Sequence, residues 1–274
     1  MNRTNRRATV LTHTLLFIGA VLMLVPLIWT LSTSLKLPGS EFNIPVRWIP
    51  ETWHFENYLE VARRVPLPRW IFNSLVVALA ATAGQMLTGS MAGYAFARLH
   101  FRGRDTTFLL FLATMMIPPQ VTIIPLFIIV RAFGWYDTFP GLIVPGLFGA
   151  FSVFIMRQFF LTIPNELEDA ARIDGANHWQ IYWRVMLPLS GPALATLGTF
   201  TFMSFWNSFL YPLVITRSED MRTLPVGLSV FRNTFVTEWT LLTAGLIMSL
   251  IPVIIAFLLG QRYFVRGITM TGIK

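Results

Sequence analysis

Six stretches of this chain run without a single Asp, Glu, Lys or Arg: 8–35, 70–97, 106–130, 138–156, 185–216 and 239–261. Each can hold the ~20 residues that a helix needs to cross about 30 Å of hydrocarbon. The fourth is the shortest, with 19 residues before Arg157, and 158–161 extend it. All six are continuously apolar, whereas the strands of a membrane barrel would alternate. The expected fold is therefore an all-α integral membrane protein, a single transmembrane domain over 1–274. Its six transmembrane helices are placed at 8–35, 70–97, 106–130, 138–161, 188–216 and 239–261, with a polar loop at 162–187 between the fourth and fifth.

Composition agrees: 54% of residues are hydrophobic and 12% charged, against about 25% charged in soluble domains. There is no Cys, which excludes disulfides and thiolate metal sites. The formal charge of +8 comes from basic residues scattered between apolar runs. That distribution suits lipid headgroups and gives no stripe for nucleic acid. With both termini in the cytoplasm, twelve of the 21 basic residues lie on the cytoplasmic side and nine outside. Five of those nine sit in the long first loop, Lys36 to Arg69, while the short turn Phe101–Arg104 is densely basic. The basic N-terminus resembles a signal peptide, but the apolar run after it is too long and lacks a small-residue cleavage site, so it reads as a retained first span.

Inside the second window Gly89 and Gly93 form a small-xxx-small pair that lets backbones approach closely. Pro118, Pro119 and Pro252 predict kinks or hinges. No Asp, Glu, Lys or Arg lies well inside any window, whereas ion-coupled carriers commonly depend on ionisable groups near the midplane. The two lysines, Lys36 and Lys274, are not preceded by G-x-x-x-x-G, so a Walker A loop is absent. The four His show no metal-ligand spacing, and no metal site is expected. Asn73, Gln85, Gln120 and Asn207 are the main intramembrane amides, suited to binding hydroxyl groups rather than moving protons. No catalytic residue is assigned.

The loop from Pro164 to Pro192 carries unusual local order. Asn165 with Glu168 has the spacing of a capping box opening a short helix, along which Glu168 and Arg172 make an i,i+4 pair. Gly175 permits a turn with φ > 0, and Asn177 with Gln180 repeats the capping pattern. The result is an elbow whose first arm presents Glu168, Asp169 and Asp174 beside a small-residue ridge, suited to a basic, apolar-lined groove on another protein. An amphipathic helix lying on lipid is the alternative, but its acids would be repelled by an anionic leaflet.

These residues also carry a resemblance. Asp169-Ala170-Ala171, Gly175 four residues on, and Val185, Leu187 and Pro188 after a further gap resemble the EAA loop of inner-membrane permeases in binding-protein-dependent ABC importers. Asp169 stands where that family usually has Glu, and Val185 where it often has Ile. The chain is also similar to the smaller maltose-type sugar permeases at Glu56–Tyr58, Asn73–Ser74, Ala92–Leu99, Met115–Pro125 and Trp206–Asn207. Its ending, Thr271 to Lys274, departs from theirs.

The resemblance implies a type I ABC importer permease in a bacterial or archaeal cytoplasmic (inner) membrane. It implies a second homologous permease subunit, two ABC ATPase subunits that bind ATP and Mg, and an extracytoplasmic sugar-binding protein. This chain itself would hold no cofactor. Glu168, Asp169, Ala170, Ala171, Asp174 and Gly175 would form the ATPase-coupling helix and its turn, and Leu187 and Pro188 the end of the loop. Trp206 and Asn207 combine a stacking face with an amide, and with Asn73 and Gln120 they are the candidate substrate-pathway residues. The competing readings are a self-sufficient secondary carrier of a polar solute, and a membrane scaffold or enzyme.

Overall fold

A computed structural model describes residues 3–232 and 237–270; the tail Thr271 to Lys274 lies outside the described residues. All six apolar windows are helical, but they are not six simple rods. Three are long uninterrupted helices: α1 (Arg3–Ser34), α3 (Leu67–Arg98), with the short surface helix α2 (Glu56–Arg64) between them, and the helix of the sixth window. The third window is α4 (Arg104–Ala113) followed by α5 (Pro119–Ala132), with a turn of 100° between their axes. Pro119 forces the residues before it out of the helical region, and Ile117 and Pro118 are extended with ψ 116° and 130°. The kink expected there is a full break.

The fourth window bends by 40° between α6 (Phe139–Ile143), whose last turn tightens through Gly146, and α7 (Ala150–Thr162). After α7 come α8 (Glu166–Ile173) and α9 (His178–Ile181), and helix continues through Tyr182–Met186 into α10 (Leu187–Leu189). The chain then turns by 76° into α11 (Gly191–Trp206). The fifth window, expected as one span over 188–216, is thus divided: α11 ends at Asn207, and α12 (Leu210–Ile215) is separate. Helix α13 (Leu224–Leu228) precedes α14 (Trp239–Met270), which holds the sixth window.

The chain forms two compact units. In the first, Met1–Leu67 with Leu228–Ile251, α1 exposes its apolar surface and ends in a polar knot. The buried Asn57 amide donates to the carbonyls of Ser34 at 2.9 Å and Lys36 at 2.8 Å, and the Tyr58 hydroxyl pairs with Ser34 Oγ at 2.7 Å. Asn57 and Tyr58 therefore hold the C-terminal end of α1, whose carbonyls lack helical partners. Arg64 bridges Glu60 and Glu238 at 2.7 Å each.

In the second unit, Pro68–Gly227 with Pro252–Lys274, α3 packs on α7 where the small residues allow it. A Cβ placed on Gly89 would come within 2.6 Å of Ser152 Cβ, and one on Gly93 within 2.7 Å of Met156 Cβ. Two apolar cores result. One joins Tyr94, Met156, Phe160, Ile181, Tyr182, Met186 and Leu197; the other joins Val77, Val130, Leu142 and Ile215. Where the helices break, α3 supplies the missing partners: Gln85 donates to Gly146 O at 3.0 Å and Thr88 to Leu147 O at 2.7 Å. At the start of α3, Asn73 Nδ2 donates to the carbonyls of Asp220 (2.7 Å) and Arg222 (2.9 Å), while Ser74 Oγ accepts from Leu224 N at 2.7 Å.

Asp137, at φ 59°, fastens a neighbouring turn. Its carboxylate accepts the backbone N–H groups of Arg217 at 2.9 Å and Ser218 at 3.1 Å. Burial opposes ionisation here, but these donors outweigh it and hold the carboxyl below its usual range. The folded value being the lower one, this fastening is present above the ordinary carboxylate range and is lost as pH falls through the folded value.

Two outcomes follow. Gly93→Leu destabilises the purified protein by about 1–3 kcal/mol, because Met156 and the Arg157 backbone cannot both retreat; Gly191→Ala, where a Cβ meets no described atom within 4 Å, serves as control in a thermal-unfolding series. Hydrogen exchange at the Arg217 and Ser218 amides accelerates when the parent is acidified below the usual carboxylate range, and Asp137→Asn removes that acid-dependent step.

Candidate functional site

Helix α8 starts without the cap that the sequence suggests. Asn165 has helical backbone angles and its side chain makes no capping bond; its carboxamide oxygen accepts from Arg98, the last residue of α3. The orphan N–H of Glu168 bonds the Asn165 backbone carbonyl instead, at 2.9 Å. The capping box expected at Asn165 is thus displaced by a tertiary contact. Glu168 also differs from expectation: it is only 4% exposed and points inward. It takes Arg172 at 2.9 Å, as the i,i+4 spacing predicts, the Tyr94 hydroxyl at 3.3 Å, and lies 3.9 Å from Arg98 Nε. Glu168 is accordingly a buried contact of the bundle and not part of the outward acidic face.

That outer face is made by Asp169, Ala170, Ile173 and Asp174, all exposed, with Ile173 at 86%. Ala171 packs against the core formed by Tyr94 and Met156. The helix closes as a Schellman motif, in which Gly175 N bonds Arg172 O and Ala176 N bonds Ala171 O, both at 3.0 Å. Gly175 takes the left-handed conformation at φ +82° that this closure needs.

The second arm matches the sequence. Asn177 and Gln180 make a complete capping box, each bond 2.9 Å. Ile181, Tyr182 and Met186 enter the core, and the Tyr182 hydroxyl meets Ser90 at 2.7 Å. Trp179 and Trp183 remain exposed, edge to face at 5.7 Å. Pro188 has no N–H to give the helical ladder, and just before it Leu187 N bonds Tyr182 O five residues back, a π-type turn. Leu187 and Pro188 lie in α10, directly before the 76° bend.

A cleft of about 490 Å³ opens where the broken windows meet. Its lining takes Pro119 and Gln120 from the first break, Pro145 and Gly146 from the second, and Ser208 and Phe209 from the third, with Tyr211 beside them. Of the four candidate pathway residues, Gln120 is here. Trp206 is 3% exposed and stacked on Phe202 at 5.8 Å, so its indole face is occupied. Asn207 donates to Met203 O at 2.8 Å and closes its own helix. Asn73 is fully buried, with both amide hydrogens spent on carbonyls. Ser208 and Tyr211 carry no distinguishing pattern in the sequence; the prolines at the breaks are the available signal, since helix breaks at membrane depth line cavities.

Comparison with known proteins agrees with this geometry. Residues 85–270 match the family described as the binding-protein-dependent transport system inner membrane component. The chain is 36% identical to an arabinooligosaccharides transport system permease protein of Halalkalibacterium halodurans, over 93% of this chain and 92% of that one. It is 34% identical to an sn-glycerol-3-phosphate transport system permease protein of Yersinia enterocolitica, over 96% and 97%. Its fold is similar to a chain in the crystal structure of a bacterial ABC transporter involved in the import of the acidic polysaccharide alginate, with a TM-score of 0.80 and 27% identity over 96% of this chain and 99% of that one. An all-helical chain with apolar spans, a polar elbow and a cleft between broken helices, matching over these lengths, belongs to the family of binding-protein-dependent transport system inner membrane components.

Proposed function

We propose that this chain is one permease subunit of an ATP-driven importer for a carbohydrate, an oligosaccharide or a related polar solute, delivered by an extracytoplasmic binding protein. The observation that carries the reading is the elbow of α8 and α9: an outward face of Asp169, Ala170 and Ile173 on a helix whose inward side is tied to the bundle. The relatives that transport arabinooligosaccharides and the alginate importer favour a saccharide. The glycerol phosphate relative extends the class to small polyol derivatives. A secondary carrier is disfavoured, because no window holds an Asp, Glu, Lys or Arg for ion coupling.

In this reading both termini and the elbow face the cytoplasm, on the side with twelve of the 21 basic residues. A second permease subunit completes the pore. Two ATPase subunits, which bind ATP and Mg, dock on the elbows, with Asp169 facing a basic residue of the ATPase. ATP closes the ATPase pair and draws the elbows together, and the helices above them move as rigid pieces to open the pathway outward. Hydrolysis resets it inward. The cleft holding Gln120, Ser208 and Tyr211 borders the pathway on this subunit, where an amide and hydroxyls meet the hydroxyls of a sugar and aromatic rings meet its apolar face.

The test is to tag the N-terminus, extract the complex gently from its native membrane and identify the chains that co-purify. A homologous permease and a P-loop ATPase are expected, and uptake is expected to stop on ATP depletion with the ion gradient intact. Recovery of this chain alone, with uptake driven by the gradient, would falsify the reading. Within the complex, Asp169→Lys reverses the exposed charge and is expected to release the ATPases. Gly175→Val forces a branched residue into the left-handed region at a cost of about 1–2 kcal/mol. It is expected to cut uptake more than Gly175→Asn does, since Asn tolerates that conformation; equal uptake by both variants removes the turn's role.

A further inference from the structure

The two arms of the elbow are attached to the protein in different ways. Helix α9 and the turn after it are anchored by apolar burial, through Ile181, Tyr182 and Met186. Helix α8 has little of that. Among its described residues Glu168 alone is buried, Ala171 is half-buried, and eight residues are too few to hold a helix in water unaided. What fixes α8 is the side chain of Arg98, itself only 8% exposed.

The Arg98 guanidinium reaches two neighbouring elements at once, the end of α7 and α8. One terminal nitrogen donates to the carbonyls of Phe160 (2.6 Å) and Ile163, where α7 ends and its last carbonyls have no i+4 helical donor. The other donates to the Asn165 carboxamide at the start of α8. Its Nε faces the Glu168 carboxylate at 3.9 Å, which Tyr94 and Arg172 hold from their own sides. A planar fork is required for this arrangement. A lysine ammonium concentrates its donors on one atom and cannot serve α7 and α8 in these separate directions.

We infer that Arg98 is a positioning residue for energy coupling: a polar joint, completed by Glu168, that makes α8 move as one piece with the ends of α3 and α7. This rests on the proposal that α8 is the docking arm for an ATPase. Force applied at Asp169 and Ile173 reaches the apolar core from α8 through Ala171 alone, and passes chiefly through Glu168 and Asn165 into Arg98. Removing the joint therefore leaves α9 seated while α8 pivots about Gly175, so ATP is hydrolysed and the membrane helices lag behind.

The test uses the intact complex, purified with its partners and returned to lipid, carrying Arg98→Lys, Glu168→Gln or neither. The absence of Cys allows a spin-label pair at Leu79→Cys on α3 and Leu167→Cys on α8, both exposed positions, the second outside the docking face. In the parent the label separation stays constant between nucleotide-free and vanadate-trapped states. In Arg98→Lys it broadens and shifts with nucleotide, and uptake per ATP hydrolysed falls about tenfold, the scale of coupling carried by such networks. Glu168→Gln keeps the shape and the Asn165 bond, and shows the same change to a smaller degree. If Arg98→Lys fails to assemble, Glu168→Gln decides the matter.

An unchanged label separation, or an unchanged ratio of uptake to hydrolysis in a variant that assembles, overturns the joint and leaves docking intact. Retention of the ATPases by Asp169→Lys overturns the docking proposal itself, and the joint falls with it.

Discussion

Hydrocarbon offers a backbone no hydrogen bonds, and every broken helix in this protein must find replacements within the protein itself. The second long helix, α3, is the element that provides them. Asn73 and Ser74 at one end hold the segment before α13, Gln85 and Thr88 near the middle hold the carbonyls between α6 and α7, and Arg98 at the other end holds the last carbonyls of α7. A helix otherwise rich in Ala and Gly thus carries a line of polar side chains, each set against a place where a neighbour's helical ladder stops. The small residues between them bring α7 close enough for these bonds to form.

The same logic accounts for most of the short motifs that mark the chain. Asn57 and Tyr58 close the end of α1. The run from Ala92 to Leu99 contains Gly93 at the contact with Met156, Tyr94 over Glu168, and Arg98 at the joint. The proline pair at 118–119 makes the sharpest break, and that break forms one wall of the cleft. These are junction residues, and their chemistry answers to neighbouring backbone before it answers to any transported molecule. Trp206 and Asn207 belong with them: one fills space beside Phe202, the other ends α11.

The elbow combines two kinds of attachment because its arms do different work. Burial is non-directional, so the aromatic cluster around Tyr94, Tyr182 and Phe160 seats α9 firmly but without fine angular control. Charge-assisted bonds fix direction, and they are where the orientation of α8 is set. Glu168 sits between Arg98 and Arg172, with Tyr94 beside it. Two guanidinium groups thus compensate one buried carboxylate, and losing either would remove part of that compensation.

The sequence by itself determined that the chain lives in a bilayer, where its helical segments fall, that Gly89 and Gly93 face a close neighbour, that Glu168 pairs with Arg172, and that Asn177 and Gln180 cap a second arm. These are local or periodic properties, set by spacing along one segment. Tertiary structure decided what depends on residues far apart in the chain. Asn165 has the spacing of a cap, yet Arg98, 67 positions earlier, takes its side chain. Glu168 has the composition of an exposed acid, yet the same Arg draws it inward. Apolar windows of span length conceal breaks, because continuous hydrophobicity reports burial in lipid or protein and says nothing of where a proline pair or an Asn cap turns the axis. The amides Asn73, Gln85 and Gln120 look alike in sequence. Two of them bond backbone and one lines the cleft, because their surroundings are set by which other helix happens to end beside them.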